Sequence, residues 1–272
     1  MTDEPNEIDE IDDSRAPLLD HLIELRKRLI WSFASLGLCF AICLYFARPI
    51  LAFLVHPLKA AGQDKIIYTQ VFGAFITEVK VAFFAGLMIS FPVIANQLWQ
   101  FVAPGLYRKE KKALLPFLIA TPVLFLMGAS LAYFIAIPLA LKYLLGFSGD
   151  LGGVQQQALP ELANYLSFIM QFLFGFGAAF LLPVLLMLLE RAGIVTRQQL
   201  IKFRRYAIVV NFGIAMVLSP PDAGSMLLMA VPLVLLYELA IIGIWFTERK
   251  RKRETDVASD VPQIIKKGDA PN

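Results

Sequence analysis

The sequence specifies an all-α membrane protein: six transmembrane helices in a curved, cup-like bundle, with both termini cytoplasmic. Three observations lead there. Six apolar stretches recur along the chain, most of them long enough to cross a bilayer as a helix. The composition, 58% hydrophobic and 17% charged over 272 residues, is too apolar for a soluble domain. The segments between the apolar stretches alternate between rich and poor in Lys and Arg.

The spans read as residues 29–47, 73–103, 113–146, 165–190, 206–219 and 224–246. Basic residues number four before the first span, four in 104–112, five in 191–205 and seven after the last. They number three in 48–72 and none in 147–164 or 220–223. Twenty of the 25 therefore fall on one side, which the positive-inside rule makes cytoplasmic. This divides the chain into an acidic disordered tail over 1–17, a six-helix domain over 18–246 and a basic disordered tail over 247–272. The basic clusters adjoin membrane spans, so topology accounts for them and no nucleic-acid surface is implied. The acidic start is the reverse of a signal-peptide n-region, so the first span is expected to persist in the mature protein.

Cys39 and Cys43 lie four apart in the first span, a spacing suited to neither zinc nor a disulfide framework; they read as small packing residues. There is no metal-ligand cluster, phosphate-binding glycine loop or nucleophile–base pair. No metal, cofactor or enzymatic activity is expected.

The spans are unequal. The second and third would reach roughly 45–50 Å at 1.5 Å per residue, against a hydrocarbon core of about 30 Å. They must tilt, bend or project. Pro92, Pro116, Pro122, Pro138, Pro183 and Pro232 offer bending points, hence the curved bundle. The fifth is too short, about 21 Å. The turn Ser219-Pro220-Pro221-Asp222 returns the chain at once, so the bilayer is expected to thin there, with Asp222 at or below the outer headgroups.

Ionisable groups within spans are few. Glu78, Lys80, Lys142 and Glu190 lie near span ends, within snorkelling reach of an interface. Glu238 lies roughly 12 Å inside the cytoplasmic end of span six. It must face protein or water, either as half of an ion pair or as a proton site.

Two polar segments stand out on the cytoplasmic side. Leu18, Leu22, Leu25 and Leu29 recur at helical spacing, an amphipathic surface helix running into span one with Pro17 as its first residue. Glu24 and Arg28 are i, i+4 within it and suited to pairing. Pro104-Gly105 should end the second span, after which Glu110 sits among four bases. Each segment offers one carboxylate at the membrane surface, and two carboxylates suit paired guanidinium groups. Spacing alone does not bring them together.

The run His21-Leu22-Ile23-Glu24-Leu25-Arg26-Lys27-Arg28 resembles the N-terminal signature of the TatC family, membrane receptors of the twin-arginine protein translocase. So does Gln97-Leu98-Trp99-Gln100-Phe101-Val102-Ala103-Pro104-Gly105-Leu106-Tyr107 with Glu110. Ala132-Tyr133-Phe134, Tyr165-Leu166-Ser167-Phe168 and Ser219-Pro220-Pro221-Asp222 follow in family order. The resemblance implies a receptor and core subunit that binds twin-arginine signal peptides and supports export of folded proteins. It implies the single-span partners TatA and TatB, self-association in a receptor complex, and a bacterial cytoplasmic (inner) membrane location. It assigns signal-peptide binding to Glu24, Arg26, Gln97, Phe101, Tyr107 and Glu110. Pro57, Ser219 and Asp222 fall to partner docking or transport, and Glu238 joins them as a buried carboxylate. Where many relatives carry an acidic residue two positions before the span-four proline, this chain has Leu181. Gln70 and Met226 also depart from residues common in relatives. The runner-up, a proton-coupled small-solute transporter using Glu238, would call for internal repeats around a midplane site, and no repeat is evident.

Overall fold

A computed structural model of the chain describes the backbone of residues 7–63, 65–106, 115–147, 149–151, 154–156, 159–191, 193–219 and 222–268. Within these, side chains are described over 22–101, 118–147 and 159–249. The elements in order are α1 (Glu7–Tyr45), α2 (Ala47–Ala60), α3 (Gly73–Leu106) and α4 (Leu115–Leu131). A π-helical turn (Ala132–Ala136) leads into α5 (Ile137–Leu145) and a small antiparallel hairpin, β1 (Gly149–Leu151) with β2 (Val154–Gln156). Then come α6 (Leu162–Ala179), α7 (Leu182–Arg191), α8 (Arg197–Lys202), α9 (Arg204–Leu218) and α10 (Ala223–Gly268). Five stretches are long and apolar enough to cross a membrane: Leu22–Tyr45, Gly73–Phe101, Leu118–Leu145, Leu162–Arg191 and Ala223–Arg249. The remaining long apolar helix, α9, has 15 residues and reaches only about 22 Å, as its sequence leads one to expect.

Three boundaries differ from the sequence reading. First, the surface helix is not separate. α1 is continuous from Glu7 to Tyr45, and Pro17 lies ten residues inside it. Acidic residues suit a helix N-terminus, and the Glu, Leu, Arg and Lys between them and the span are good helix formers. Second, α3 runs through Pro104-Gly105 and ends at Leu106, a small overshoot of the expected break. Third, the chain after the last span is helical to Gly268, where the sequence reading expects disorder. The Lys-, Arg- and Glu-rich stretch after the span prolongs an existing helix without a new nucleation step.

Two of the six prolines mark real irregularities. Pro138 has no N–H and its ring crowds the carbonyl four residues back. Just upstream the helix widens, with the Ile137 N–H bonded to the Ala132 carbonyl, a π-type step. Pro183 follows the break at Phe180–Leu181, where the Leu181 N–H bonds back to Ala178 O at 3.0 Å. Span four is thus α6 plus α7. Pro92, Pro122 and Pro232 sit inside unbroken helices. α7 ends in a Schellman turn: Gly193 takes φ +73°, its N–H bonds Glu190 O, and the Ile194 N–H bonds Leu189 O.

α6 is the centre of the bundle. Leu162, Tyr165, Leu166, Ile169, Phe172 and Phe176 are all buried, at helical spacing and on the side facing α4 and the π turn. Ala129, Ala132, Ala136 and Ala140 form a small-residue stripe in the same core, which allows close approach. A Cβ on Gly128 would lie 2.5 Å from Phe176 O, so the α4 and α6 backbones touch there. α1 packs chiefly on α3, and a Cβ on Gly86 would fall 2.9 Å from the backbone of Phe40. Cys43 is buried beside Ala47 and Ala82, a packing residue as its sequence context suggests. Gly86→Leu should therefore push α1 off α3 and destabilise the protein by about 1–3 kcal/mol. Thermal unfolding in detergent would read this, and an unchanged midpoint would rule out the close approach.

The tyrosines of the two motifs in spans three and four have a common task. The Tyr133 hydroxyl donates to Phe53 O at 2.7 Å and the Tyr165 hydroxyl to Leu54 O at 2.9 Å. Both pin α2, with its buried Pro57, to the bundle. Ile67 clamps the following loop to the start of α6 through Pro160 O (3.3 Å) and the Leu162 N–H (3.1 Å).

Candidate functional site

The charged face of α1 meets the polar end of α3. Glu24, Arg28 and Trp31 fall at i, i+4 and i+7, with Lys27 beside them; Gln97 and Gln100 are one turn apart on α3. These six residues line a cavity of about 370 Å³. The Arg28 guanidinium donates to Glu24 Oε1 at 2.5 Å, with the Arg28 side chain 17% and the Glu24 side chain 40% exposed. The expected helical pair is thus formed. The Arg28 backbone carbonyl accepts from Ser32 Oγ at 3.0 Å. Arg28 Nη1 is buried with no acceptor among the described residues. Gln100 Nε2 donates to Asn96 Oδ1 at 3.1 Å. The Trp99 indole N–H donates to Thr121 Oγ1 at 2.8 Å, tying this end of α3 to α4.

Of the expected binding residues, Glu24 and Gln97 share this cavity. Phe101 is half-buried just beyond it. Arg26, two positions from Glu24 and so about 200° round the helix, is exposed and is not among the lining residues. Tyr107 and Glu110 lie outside the described residues. Sequence reading did not single out Lys27, Trp31 and Gln100, although their spacing to Glu24 and Gln97 already placed them on the same faces. The described lining carries two cations and one carboxylate, so a cationic ligand needs a further acidic group there.

The other expected residues lie elsewhere. Asp222 precedes α10 and caps it: Oδ1 accepts from the Ser225 N–H at 2.7 Å, and the Ser225 hydroxyl donates to Oδ2. Asp222→Ala should cost about 0.5–2 kcal/mol, visible as a lowered unfolding temperature that Asp222→Asn largely restores. Ser219 is buried at the end of α9. Glu238 pairs with Arg204 at 2.8 Å. Nearby, the Tyr237 hydroxyl donates to Leu200 O at 2.9 Å, and Arg197 lies 3.8 Å from Glu248. Together these fasten α8 and the start of α9 to α10. α8 itself begins in a capping box between Thr196 and Gln199. Leu181 is half-buried in the kink between α6 and α7. Among the described residues no group of His, Cys, Asp and Glu is arranged to hold a metal.

The family model for TatC, described as Sec-independent protein translocase protein, matches residues 20–232. This chain belongs to the TatC family. It is 43% identical over 244 residues to a Sec-independent protein translocase protein TatC of Magnetococcus marinus, covering 89% of each chain. A TatC of Aquifex aeolicus is 40% identical, covering 87% of this chain and 98% of its own. One of Escherichia coli is 39% identical, covering 85% and 88%. A crystal structure of the twin-arginine translocase receptor TatC superposes with a TM-score of 0.73 at 38% identity, covering 82% of this chain and 96% of that one. A second, in DDM, gives 0.74 at 39% identity, covering 82% and 98%. The TatC fold is therefore a multi-pass, predominantly helical membrane fold in this chain too. The small-solute transporter reading finds no support: the relatives are translocase proteins, and Glu238 is occupied by Arg204.

Proposed function

We propose that this protein is the receptor and core subunit of a twin-arginine translocase. It binds twin-arginine signal peptides at the cytoplasmic surface of a bacterial inner membrane and supports export of folded proteins, without enzymatic chemistry of its own. In this reading α9 is the sixth span, both termini are cytoplasmic, and TatA, TatB and further copies of the chain assemble around it. The solved relatives are twin-arginine translocase receptors, which favours it. The observation that carries it is Glu24, half-exposed in a cavity shared by α1 and α3 beside Lys27 and Arg28. Glu110 follows Leu106 by only four residues, so a second carboxylate is within chain reach of the first. One guanidinium on each would offset the excess positive charge of the lining.

Crosslinking tests this directly. A twin-arginine peptide bearing a photoreactive group should label both residues 20–28 and residues 105–112. Labelling at neither segment would remove the receptor reading. The orientation has its own check. A cysteine placed at position 109 should resist a membrane-impermeant reagent added outside intact cells and react after permeabilisation. Strong labelling from outside would invert the topology and exclude a cytoplasmic recognition site.

A further inference from the structure

A larger hollow lies toward the opposite end of the same helix pair, where α1 and α3 face α6 and the end of α9. Its volume is about 610 Å³. The walls are chiefly apolar, led by Phe40, Phe83, Phe84, Met170, Phe174 and Leu218, and its polar side chains are Lys80, Ser167 and Gln171. The Ser167 hydroxyl is already committed to Ala163 O at 2.8 Å, which leaves one ammonium and one amide.

Lys80 is the cation of this lining and lies near one end of its span. It lies seven residues into α3, about 10 Å from the helix start. Phe72, Phe75 and Ile76 are exposed between it and that end, so the cation sits inside an apolar collar. Among the described residues it makes no ion pair. The nearest carboxylate in sequence, Glu78, lies 3.6 Å from Arg48 instead. A long lysine side chain this close to a span end can reach the headgroup level, where a lipid phosphate can serve as its counter-ion.

The size of the hollow narrows what supplies that counter-ion. Ligand cavities of roughly 300–1,000 Å³ take a single small molecule. An apolar wall with one ammonium and one amide suits an alkyl chain that carries an acidic headgroup. We propose that it binds one acidic phospholipid from the leaflet on the α2 side. The headgroup phosphate accepts from Lys80 Nζ and Gln171 Nε2, and an acyl chain lies along the phenylalanine walls. A lipid of net charge −1 cancels the charge of Lys80; a zwitterionic lipid does not. The site is separate from the Glu24 cavity, so its fate does not depend on signal-peptide binding.

The test is native mass spectrometry of the full chain, delipidated in mild detergent and titrated with phosphatidylglycerol or phosphatidylcholine. One phosphatidylglycerol per chain should bind with a preference of roughly five- to tenfold over phosphatidylcholine. Lys80→Gln should erase the preference and Lys80→Arg should keep it, with helical content by circular dichroism unchanged in both. Equal binding of the two lipids by the wild type, or an undiminished preference in Lys80→Gln, would overturn the proposal. If Lys80→Gln does not fold, a photoreactive side chain at Phe83 decides the matter in membranes. Lipid adducts there support the site, and polypeptide adducts in their place refute it in favour of a partner helix.

Discussion

Glu24→Gln and Glu110→Gln are each expected to weaken binding of a twin-arginine signal peptide by about one to two powers of ten. A charge-assisted hydrogen bond contributes roughly 1.5–3 kcal/mol, and salt at an exposed surface reduces it. The geometry around Glu24 places that residue at the lower end. Its side chain is 40% exposed and already paired with Arg28 at 2.5 Å. An incoming guanidinium must share or displace that partner, so only the difference between two similar interactions contributes to affinity. Glutamine keeps an acceptor for Arg28 and so preserves the fold better than alanine, which would leave a largely buried guanidinium without its acceptor. Arg26→Gln should weaken binding less, because Arg26 is exposed and lies off the cavity. The measurement is a titration of twin-arginine and twin-lysine peptides against wild-type and variant protein, with unfolding midpoints as controls. Loss of affinity together with loss of the arginine preference identifies the carboxylates as the groups that read the signal. Wild-type affinity in both variants would rule the two-carboxylate mechanism out.

Lengthening α9 by four leucines should abolish transport while leaving signal-peptide binding intact. The structure sharpens the reason. α9 ends at Leu218 and α10 begins at Ala223, and Arg204 at the start of α9 pairs with Glu238. From Glu238 the apolar stretch of α10 continues to Arg249, about 16 Å further. α9 therefore begins well short of the Arg249 end of its neighbour's apolar stretch, with α8 beside α10 at that level. A bilayer that meets both helices must thin around them, exposing a face on which Val209, Met216 and Val217 are 70%, 71% and 78% accessible. We expect a single-span partner to dock there. Four added residues would lengthen α9 by about 6 Å, break the Arg204–Glu238 register and remove the thinning. Crosslinking from position 216 to the partner should disappear in step with export. Full export by the lengthened variant would count against the idea.

The sequence by itself determined the membrane class, the apolar stretches and their order, the shortness of α9 and the packing role of the cysteines. Each of these follows from local composition and length, which a bilayer reads directly because every span must satisfy its own backbone hydrogen bonds. It also placed Glu24 and Arg28 within reach of each other, because i, i+4 neighbours meet whatever surrounds the helix. The tertiary structure alone decided which helices stand side by side. Small residues at Gly86 and Gly128 select those neighbours through backbone contact, and a glycine in a sequence does not say what approaches it. From that choice came the joining of Gln100 to Glu24 and the exclusion of Arg26. Glu238 became an ion-pair partner for the same reason: Arg204, 34 residues earlier in the chain, lies across the hairpin at its own depth. Which of several prolines distorts its helix was likewise settled by packing, since Pro92 and Pro232 carry the same local penalty as Pro138 and Pro183 yet sit in unbroken helices.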